Sequence, residues 1–468
     1  MKSAEKGIRT GQPFGVMSSY GGGRFLAEFL TGAFAAIVFK FYETEVGLSA
    51  GLAAIATIIY SIWNAVNDPL IGHITSRPTF LAKKLGRRFP WIIIGTILCA
   101  VSFVLIFSIP KSLNAKENPL PVFIWMVVSI CLYDGLYSIW EVNFQSIFPD
   151  KFRGGRERIK TAGIGTIIGV FGIAAGFVIP PIFFNYGDRG SYLTSGWVIA
   201  GIAVFIAFLM IPGVREDKPM INRYMKKIAK EKAEGNRESF YSQMKQAFKQ
   251  RNFVAFILLF FLYQSGTILM TGSIHYVGDY VLPGTSSDTT IIFGGMLVGA
   301  IISVPIWTMI SKKLKSNQKM LIISSLAMAA CALPMTFINS YIGFTVCMTL
   351  WGLGFGGFWL FMPAAMADVI DEVVAKNKKR DDGVYMGLRA FFGRLSYASQ
   401  ALVFWAIHSI TKFDQDPRST QALFGIHLHM ALIPALFFLA GAIVFSRLNT
   451  LTPTGIGKNK KILMNLDL

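Results

Sequence analysis

Charge is scarce in this chain. Asp, Glu, Lys and Arg make up 15% of its 468 residues, against 53% hydrophobic and 14% aromatic residues, and the mean hydropathy is +0.51. Soluble domains carry about 25% charged residues, so this composition fits a bilayer better than water. Acidic residues are especially few, 26 against 45 Lys and Arg, for a formal charge of +19. The basic residues fall in short clusters between apolar runs, not along one stripe interleaved with aromatics, which excludes a nucleic-acid-binding surface. Cysteine is equally sparse. Cys99, Cys131, Cys331 and Cys347 lie inside apolar stretches with no CxxC and no His-rich spacing around them, and they read as packing residues, not as a disulfide frame or metal site. No Walker lysine loop, HExxH or suitably placed GxSxG occurs, so the common nucleotide-hydrolysing and hydrolase mechanisms have no residues to work with and no cofactor is expected. The basic N-terminus leads into an apolar run that carries Arg24, Glu28 and Lys40 and lacks a small-residue cleavage site, which reads as a first helix and not as a signal peptide.

Long apolar runs, by contrast, are abundant. A hydrocarbon core of about 30 Å needs roughly 20 apolar residues in helix, and only a helix or a closed barrel satisfies its own backbone there. The runs do not alternate as barrel strands would. Counting them predicts helices over 14–43, 46–76, 89–110, 121–149, 158–184 and 193–214, and then over 252–281, 288–312, 318–338, 341–371, 384–412 and 422–447. The fold class expected is therefore an all-α membrane protein with twelve transmembrane helices. Alternate connections are basic: Lys83, Lys84, Arg87 and Arg88; Lys151, Arg153 and Arg156; Lys312, Lys313 and Lys315; Lys376, Lys378, Lys379 and Arg380. Because Lys and Arg collect on the cytoplasmic side, both termini are expected to be cytoplasmic. The polar stretch 215–251 is expected to be a cytoplasmic linker, either lying along the membrane surface or a solvated tether with no specific role, between an N-terminal bundle, 1–214, and a C-terminal bundle, 252–468. Weak repetition supports two pseudo-symmetric six-helix halves: DPLIGHITSR and VPIWTMISKKLK each place a proline, Pro69 and Pro305, before a basic turn.

An ionisable side chain at bilayer depth costs about 2.5 to 3.5 kcal/mol, so each must pair, face the bundle interior or line water. Arg24 and Glu28 are one turn apart and could pair. Asn64, Asn67 and Asp68 sit in the second run, and Asp68 precedes Pro69, which frees a carbonyl one turn earlier; together these are hard-oxygen groups suited to a small cation or a proton. Pairing of Asp68 with a basic residue across the bundle is the alternative. Asp134 and Glu141 flank Tyr137 and Trp140 in the fourth run, Gln264 and His275 lie in the seventh, and Arg389 and Arg394 in the eleventh. Lys40 and His275 are near helix ends, where snorkelling or exposure is expected. Asp368 and Asp371 stand near the KNKKR loop and suggest a bracing salt bridge.

These segments resemble a known family. IWNAVNDPLIGHITSR followed by LGRRFPWIIIGT is similar to the signature of the glycoside, pentoside and hexuronide cation symporters, the melibiose-permease-like branch of the major facilitator superfamily, and ADVIDEVVAKNKKRDDGVYMGLRAFFGRL is similar to the same family's helix 10 and 11 segment. The similarity runs from SSYGGGRFLAEF to about residue 412. It implies a symporter with alternating access that moves a small polar solute, a sugar or glycoside, with H+ or Na+. On that basis Glu28 takes the place of a substrate-binding acid, Asp68 and Asn67 match the cation-site NDP, and Arg394 replaces a lysine set between the halves. Asn64 stands where a second carboxylate is usual, and Glu141 is displaced from the usual acid of helix 4. The implied substrate set is Glu28, Arg24, Tyr137, Trp140, Glu141, Gln264 and Arg394. The implied cation set is Asp68, Asn67 and Asn64, with Na+ at Asp68 and Asn67, and the implied gate is Arg87, Asp368, Asp371 and Arg380. SRPTFLAKKLGRRFPWII also resembles the vertebrate lysophosphatidylcholine carriers, which makes an amphiphile the alternative cargo. The other expected partners are membrane lipid, without nucleic acid, around a monomer in the cell membrane.

Overall fold

A computed structural model of the protein describes residues 12–75, 82–110, 112–152, 155–222, 247–282, 284–377 and 382–465. Residues 223–246 of the expected linker, and Arg380 of the expected gate, lie outside the described residues. No strand occurs among the described residues, and twelve long helices do. Span 1 is Phe14–Lys40, span 2 Ala50–Thr75, span 3 Phe89–Phe107, span 4 Pro119–Lys151, span 5 Gly155–Val178 and span 6 Arg189–Leu209. Span 7 is Arg251–Tyr276, span 8 Ser286–Leu314, span 9 Asn317–Ala332, span 10 Tyr341–Asn377, span 11 Asp382–Ile410 and span 12 Thr420–Leu448.

The apolar runs therefore locate all twelve spans. Spans 5, 6 and 9 stop several residues before the apolar run does, because Pro180, Pro212 and Pro334 follow; proline supplies no N–H and clashes with the preceding turn. Eleven of the twelve are long and apolar enough to cross a membrane. Span 11 falls short of that apolarity because it carries Arg389, Arg394, Gln400 and His408. Large apolar side chains such as Leu98, Val101, Phe205, Ile302 and Met309 lie exposed on the helix surfaces, where they would aggregate in water and dissolve in lipid.

Within a bilayer, helices associate by close packing, and small residues set how close they come. A Cβ at Gly172 of span 5 would collide with the Phe25 backbone of span 1, and one at Gly352 of span 10 with the Met296 carbonyl of span 8. Glycine at these two positions lets the backbones touch. Cys99 and Cys347 are buried as expected, whereas Cys131 and Cys331 are only half-buried.

The chain packs as two compact units, Met1–Phe34 with Ile62–Asn236, and Ala35–Ser61 with Arg237–Leu468. The last six residues of span 1 and the first twelve of span 2 thus belong to the unit built from spans 7 to 12. Span 1 continues into a π-helical turn, Phe41–Glu45, and span 7 into another, Val277–Val281. Each turn carries an acid at its third position, Glu43 and Asp279, which repeats the same device at the same place in the two halves. A third π turn, Leu428–Leu432, interrupts span 12. Such wide turns concentrate at functional sites.

Candidate functional site

In unit 1, spans 2 and 4 are joined by a buried polar node. Asp134 is 2% exposed and accepts hydrogen bonds on both carboxylate oxygens, from the Nδ2 groups of Asn64 and Asn67. One turn further along span 4, the Ser138 hydroxyl donates to Asp68 Oδ1 at 2.6 Å. The spacing explains the pairing: Asn64 and Asp68 are four apart on span 2, Asp134 and Ser138 four apart on span 4, so each couple lies on one helix face. Asn67 is 1% exposed, and its Oδ1 has no hydrogen-bond partner among the described residues. A buried amide oxygen beside two carboxylates is a site that a cation's charge would satisfy and that an apolar core would not tolerate cheaply. Among the described residues no three His, Cys, Asp or Glu side chains converge as a metal set. Two carboxylates with amide and hydroxyl oxygens form a hard-oxygen donor set, suited to Na+ or a proton and unsuited to a thiophilic metal.

Further along unit 1, Arg24 Nη2 lies 3.4 Å from Glu28 Oε1, with side-chain exposures of 38% and 22%. A pair this exposed adds little to stability. Tyr137 is half-buried beside them, its hydroxyl 3.3 Å from Thr31 Oγ1 and 3.4 Å from the Ala27 carbonyl. Trp140, which the sequence suggests as stacking surface, is fully buried edge-on to Tyr137 and tilted against Phe144. The indole therefore packs the interior of span 4, and the accessible aromatic of that pair is Tyr137. Glu141 is buried and accepts from Gln145 one turn later on the same helix.

At the connection between spans 2 and 3, unit 1 carries a polar brace. The Glu216 carboxylate accepts the backbone N–H of Arg88 at 2.7 Å and of Phe89 at 3.2 Å, placing a negative charge at the N-terminus of span 3. Gly86, with φ +93°, turns the chain there, and a Cβ on it would strike Glu216. Burial pushes the Glu216 carboxyl above the usual carboxylate range, outweighing the two N–H donors and the charges of Arg88 and Arg87, which pull it down. Arg88 pairs with Asp150 at 3.1 Å, and half-buried Arg87 adds its charge at the same carboxylate. Lys151 donates to the carbonyls of Pro212 and Arg215 at 2.9 and 2.7 Å.

Unit 2 repeats the brace with different groups. Asp368 of span 10 is buried and accepts from Asn317 Nδ2 at 2.8 Å and Gln318 Nε2 at 3.2 Å, at the start of span 9. The predicted bracing role thus has amide partners here, and the expected salt bridge to the KNKKR loop would involve Arg380, outside the described residues. Asp371 is half-buried. Gln264 of span 7 and Arg394 of span 11 are half-buried in unit 2, and the Arg389 guanidinium lies over the Phe260 ring at 5.3 Å.

Two expectations fail in unit 2. Lys40 is 2% exposed and neither snorkels nor reaches water: its ammonium bridges Asp279 at 2.6 Å and Glu45 at 3.4 Å. His275 is fully buried against Phe293, with Thr289 Oγ1 at 3.4 Å. Both sit near ends of apolar runs, but the π turns carry those ends on into protein. Ser138 and Asp134 bond to the expected cation set without being among its expected members. Their four-residue spacing, matched to that of Asn64 and Asp68, was the available signal.

Comparison with known proteins gives the family and the fold. A family model described as MFS/sugar transport protein matches residues 19–450. The sodium-dependent lysophosphatidylcholine symporter 1 of Mus musculus is 21% identical over 93% of this chain and 86% of its own length. The lactose permease of Lactobacillus helveticus is 26% identical over 44% of this chain and 32% of that protein. Among solved structures, a D-xylose-proton symporter matches with TM-score 0.63 at 14% identity, covering 93% of this chain and 97% of that one. A nucleoside transporter matches with TM-score 0.60 at 12% identity over 92% and 99%. The chain thus has the major facilitator fold and belongs to the MFS/sugar transport protein family.

Proposed function

We propose that the protein is a secondary active symporter that moves a small polar solute, a sugar or glycoside, with Na+ or H+ by alternating access. The observation that carries this reading is the buried node of Asp68, Asp134, Asn64, Asn67 and Ser138, where an unpartnered amide oxygen adjoins two carboxylates at span depth. One cation there neutralises charge that a bilayer-embedded bundle otherwise holds at high cost. Glu28 and Arg24 offer an acceptor and a donor to solute hydroxyls, Tyr137 offers a ring face, and Gln264 and Arg394 supply polar groups from spans 7 and 11. The braces at Glu216 and Asp368, with Arg87 and Asp371 beside them, stiffen the ends of the rocking halves. The chain works without a catalytic step, as a monomer surrounded by lipid in the cell membrane, with both termini in the cytoplasm.

A lysophospholipid or related amphiphile is the second reading, and it rests on the mouse lysophosphatidylcholine symporter, similar over nearly the whole chain. Uptake by proteoliposomes under imposed Na+ and pH gradients separates the two. Radiolabelled lactose and raffinose are expected to accumulate with an inward cation gradient and to stop when it is collapsed. Accumulation of lysophosphatidylcholine alone selects the second reading, and flux indifferent to both gradients overturns coupling altogether.

A further inference from the structure

Unit 2 holds a second buried polar chain that the proposed function does not use. Glu43, in the π turn after span 1, accepts the Tyr276 phenol on Oε2, and its Oε1 lies 2.5 Å from His408 Nδ1. His408 Nε2 lies 3.3 Å from His429 Nε2, and His429 Nδ1 lies 2.7 Å from the Ser273 hydroxyl. That hydroxyl is also 2.6 Å from the Leu269 carbonyl. Glu43 is 6% exposed, His408 1%, and Tyr276, His429 and Ser273 0%. Phe413 stacks on the His408 ring at 4.3 Å and Phe404 closes edge-on against His429 at 4.9 Å, so water is kept out.

Counting hydrogens shows what this arrangement can do. With the Ser273 hydroxyl turned to Leu269, His429 Nδ1–H donates to Ser273, His408 Nε2–H donates to His429, and one more hydrogen lies between His408 Nδ1 and Glu43. A carboxylate with two neutral imidazoles carries one hydrogen fewer than that. With the Ser273 hydroxyl turned to His429 Nδ1 instead, His429 Nε2–H donates to His408 and His408 Nδ1–H donates to the carboxylate. The Ser273–Leu269 bond is exchanged for one to His429, the contacts between His429, His408 and Glu43 survive, and one proton has left. The charged and titratable groups around the chain are Lys40 with Glu45 and Asp279, Tyr280 with Arg418 over its ring at 6.0 Å, His275, His427 and Asp414. Around the relay, Lys40 and Arg418 stand against Glu45, Asp279 and Asp414. Burial pushes the Asp414 carboxyl above its usual range, and Glu43 adds to that rise.

We propose that Glu43, His408, His429 and Ser273 form a relay that binds one exchangeable proton and whose occupancy sets how firmly the Ala35–Ser61 segment is held to spans 7, 11 and 12. Glu43 is the carboxylate that the segment contributes to the relay, and Tyr276 and His408 are what it grips. When the segment withdraws, the short Glu43–His408 contact breaks and the shared proton has no second owner. The relay is thus a proton site separate from the Asp68 node; its part in transport rests on the symporter reading, but its proton does not.

The chain has five histidines, few enough for ring-nitrogen NMR on the full-length protein, 15N-histidine-labelled and held in lipid nanodiscs. Across a scan from about pH 4 to 10, the ring nitrogens of His408 and His429 are expected to change together in one step, because coupled sites titrate as a unit. Glu43→Gln is expected to abolish that step, and His427→Gln to leave it in place. Tyr276→Phe, which removes a donor from the charged carboxylate, is expected to move it to higher pH; this variant serves should Glu43→Gln fail to fold. Hydrogen exchange in residues 35–61 is expected to quicken above the step. Rings that titrate separately or not at all, or a step unmoved in both variants, overturn the relay. Exchange that ignores the step overturns the clasp. If the step is present but lactose, raffinose and lysophosphatidylcholine all fail to accumulate in vesicles, the relay stands and the transport reading falls.

Discussion

Asp134→Ala tests whether the node is a unit or a set of neighbours. The substitution removes the acceptor of two amides that are 3% and 1% exposed, Asn64 and Asn67. In water-soluble proteins, stranding a buried donor costs about 1 to 3 kcal/mol. In bilayers the average inter-helix bond is worth less, about 0.6 and at most about 1.7 kcal/mol, because the unfolded helices find other partners. A carboxylate acceptor buried to this degree belongs at the upper end of that range. We therefore expect about 1 to 1.7 kcal/mol for each amide, and about 2 to 3.5 kcal/mol for Asp134→Ala. Asp134→Asn keeps one acceptor oxygen and is expected to lose roughly half of that. The deciding measurement is a double-mutant cycle with Asn64→Ala, read by unfolding of the protein in mixed detergent micelles. A coupling near 1 kcal/mol is expected, since Asn64→Ala costs little once its acceptor is gone. Effects that add to within about 0.3 to 0.5 kcal/mol, the spread of independent sites, refute the node as a connected structure.

The brace at span 3 makes two further predictions. Gly86→Ala places a Cβ in the left-handed region and against the Glu216 carboxylate, so about 1 to 2 kcal/mol of backbone strain adds to the loss of charge-assisted bonds worth about 1.5 to 3 kcal/mol; a lower unfolding midpoint is expected, with Gly86→Asn less affected than Gly86→Val. The raised Glu216 carboxyl means that the folded protein binds this proton more tightly than the unfolded chain. Its stabilising contribution is present below the ordinary carboxylate range and is lost as pH rises through the raised value. Unfolding midpoints of the wild type are expected to show that fall and those of Glu216→Gln to lack it, whereas parallel profiles exclude the assignment.

The helices were legible in the sequence because bilayer thickness imposes one length on every span, and prolines at 180, 212 and 334 then trimmed three ends that hydropathy alone extends. Local pairs were legible too: Arg24 and Glu28 are one turn apart and do meet. What could not be read was which helices face one another. Asp134 finds Asn64 and Asn67 about seventy positions away, and Glu43 finds His408 across 365; nothing in composition or periodicity encodes those distances. Trp140 illustrates the same limit, since an aromatic beside polar residues lines a cavity or fills a core according to neighbours that only the fold supplies. Lys40 looked like a snorkelling residue because its helix was expected to end nearby, and the π turn places it among acids instead.

Cation occupancy at the node tests the central claim most directly. Binding of 22Na+ and release or uptake of protons should be measured on the same purified preparation, wild type beside Asp68→Asn. Saturable binding of one cation per chain, with Na+ and H+ competing for it, is expected in the wild type, and its loss in Asp68→Asn. Unchanged binding of both ions in that variant would contradict it.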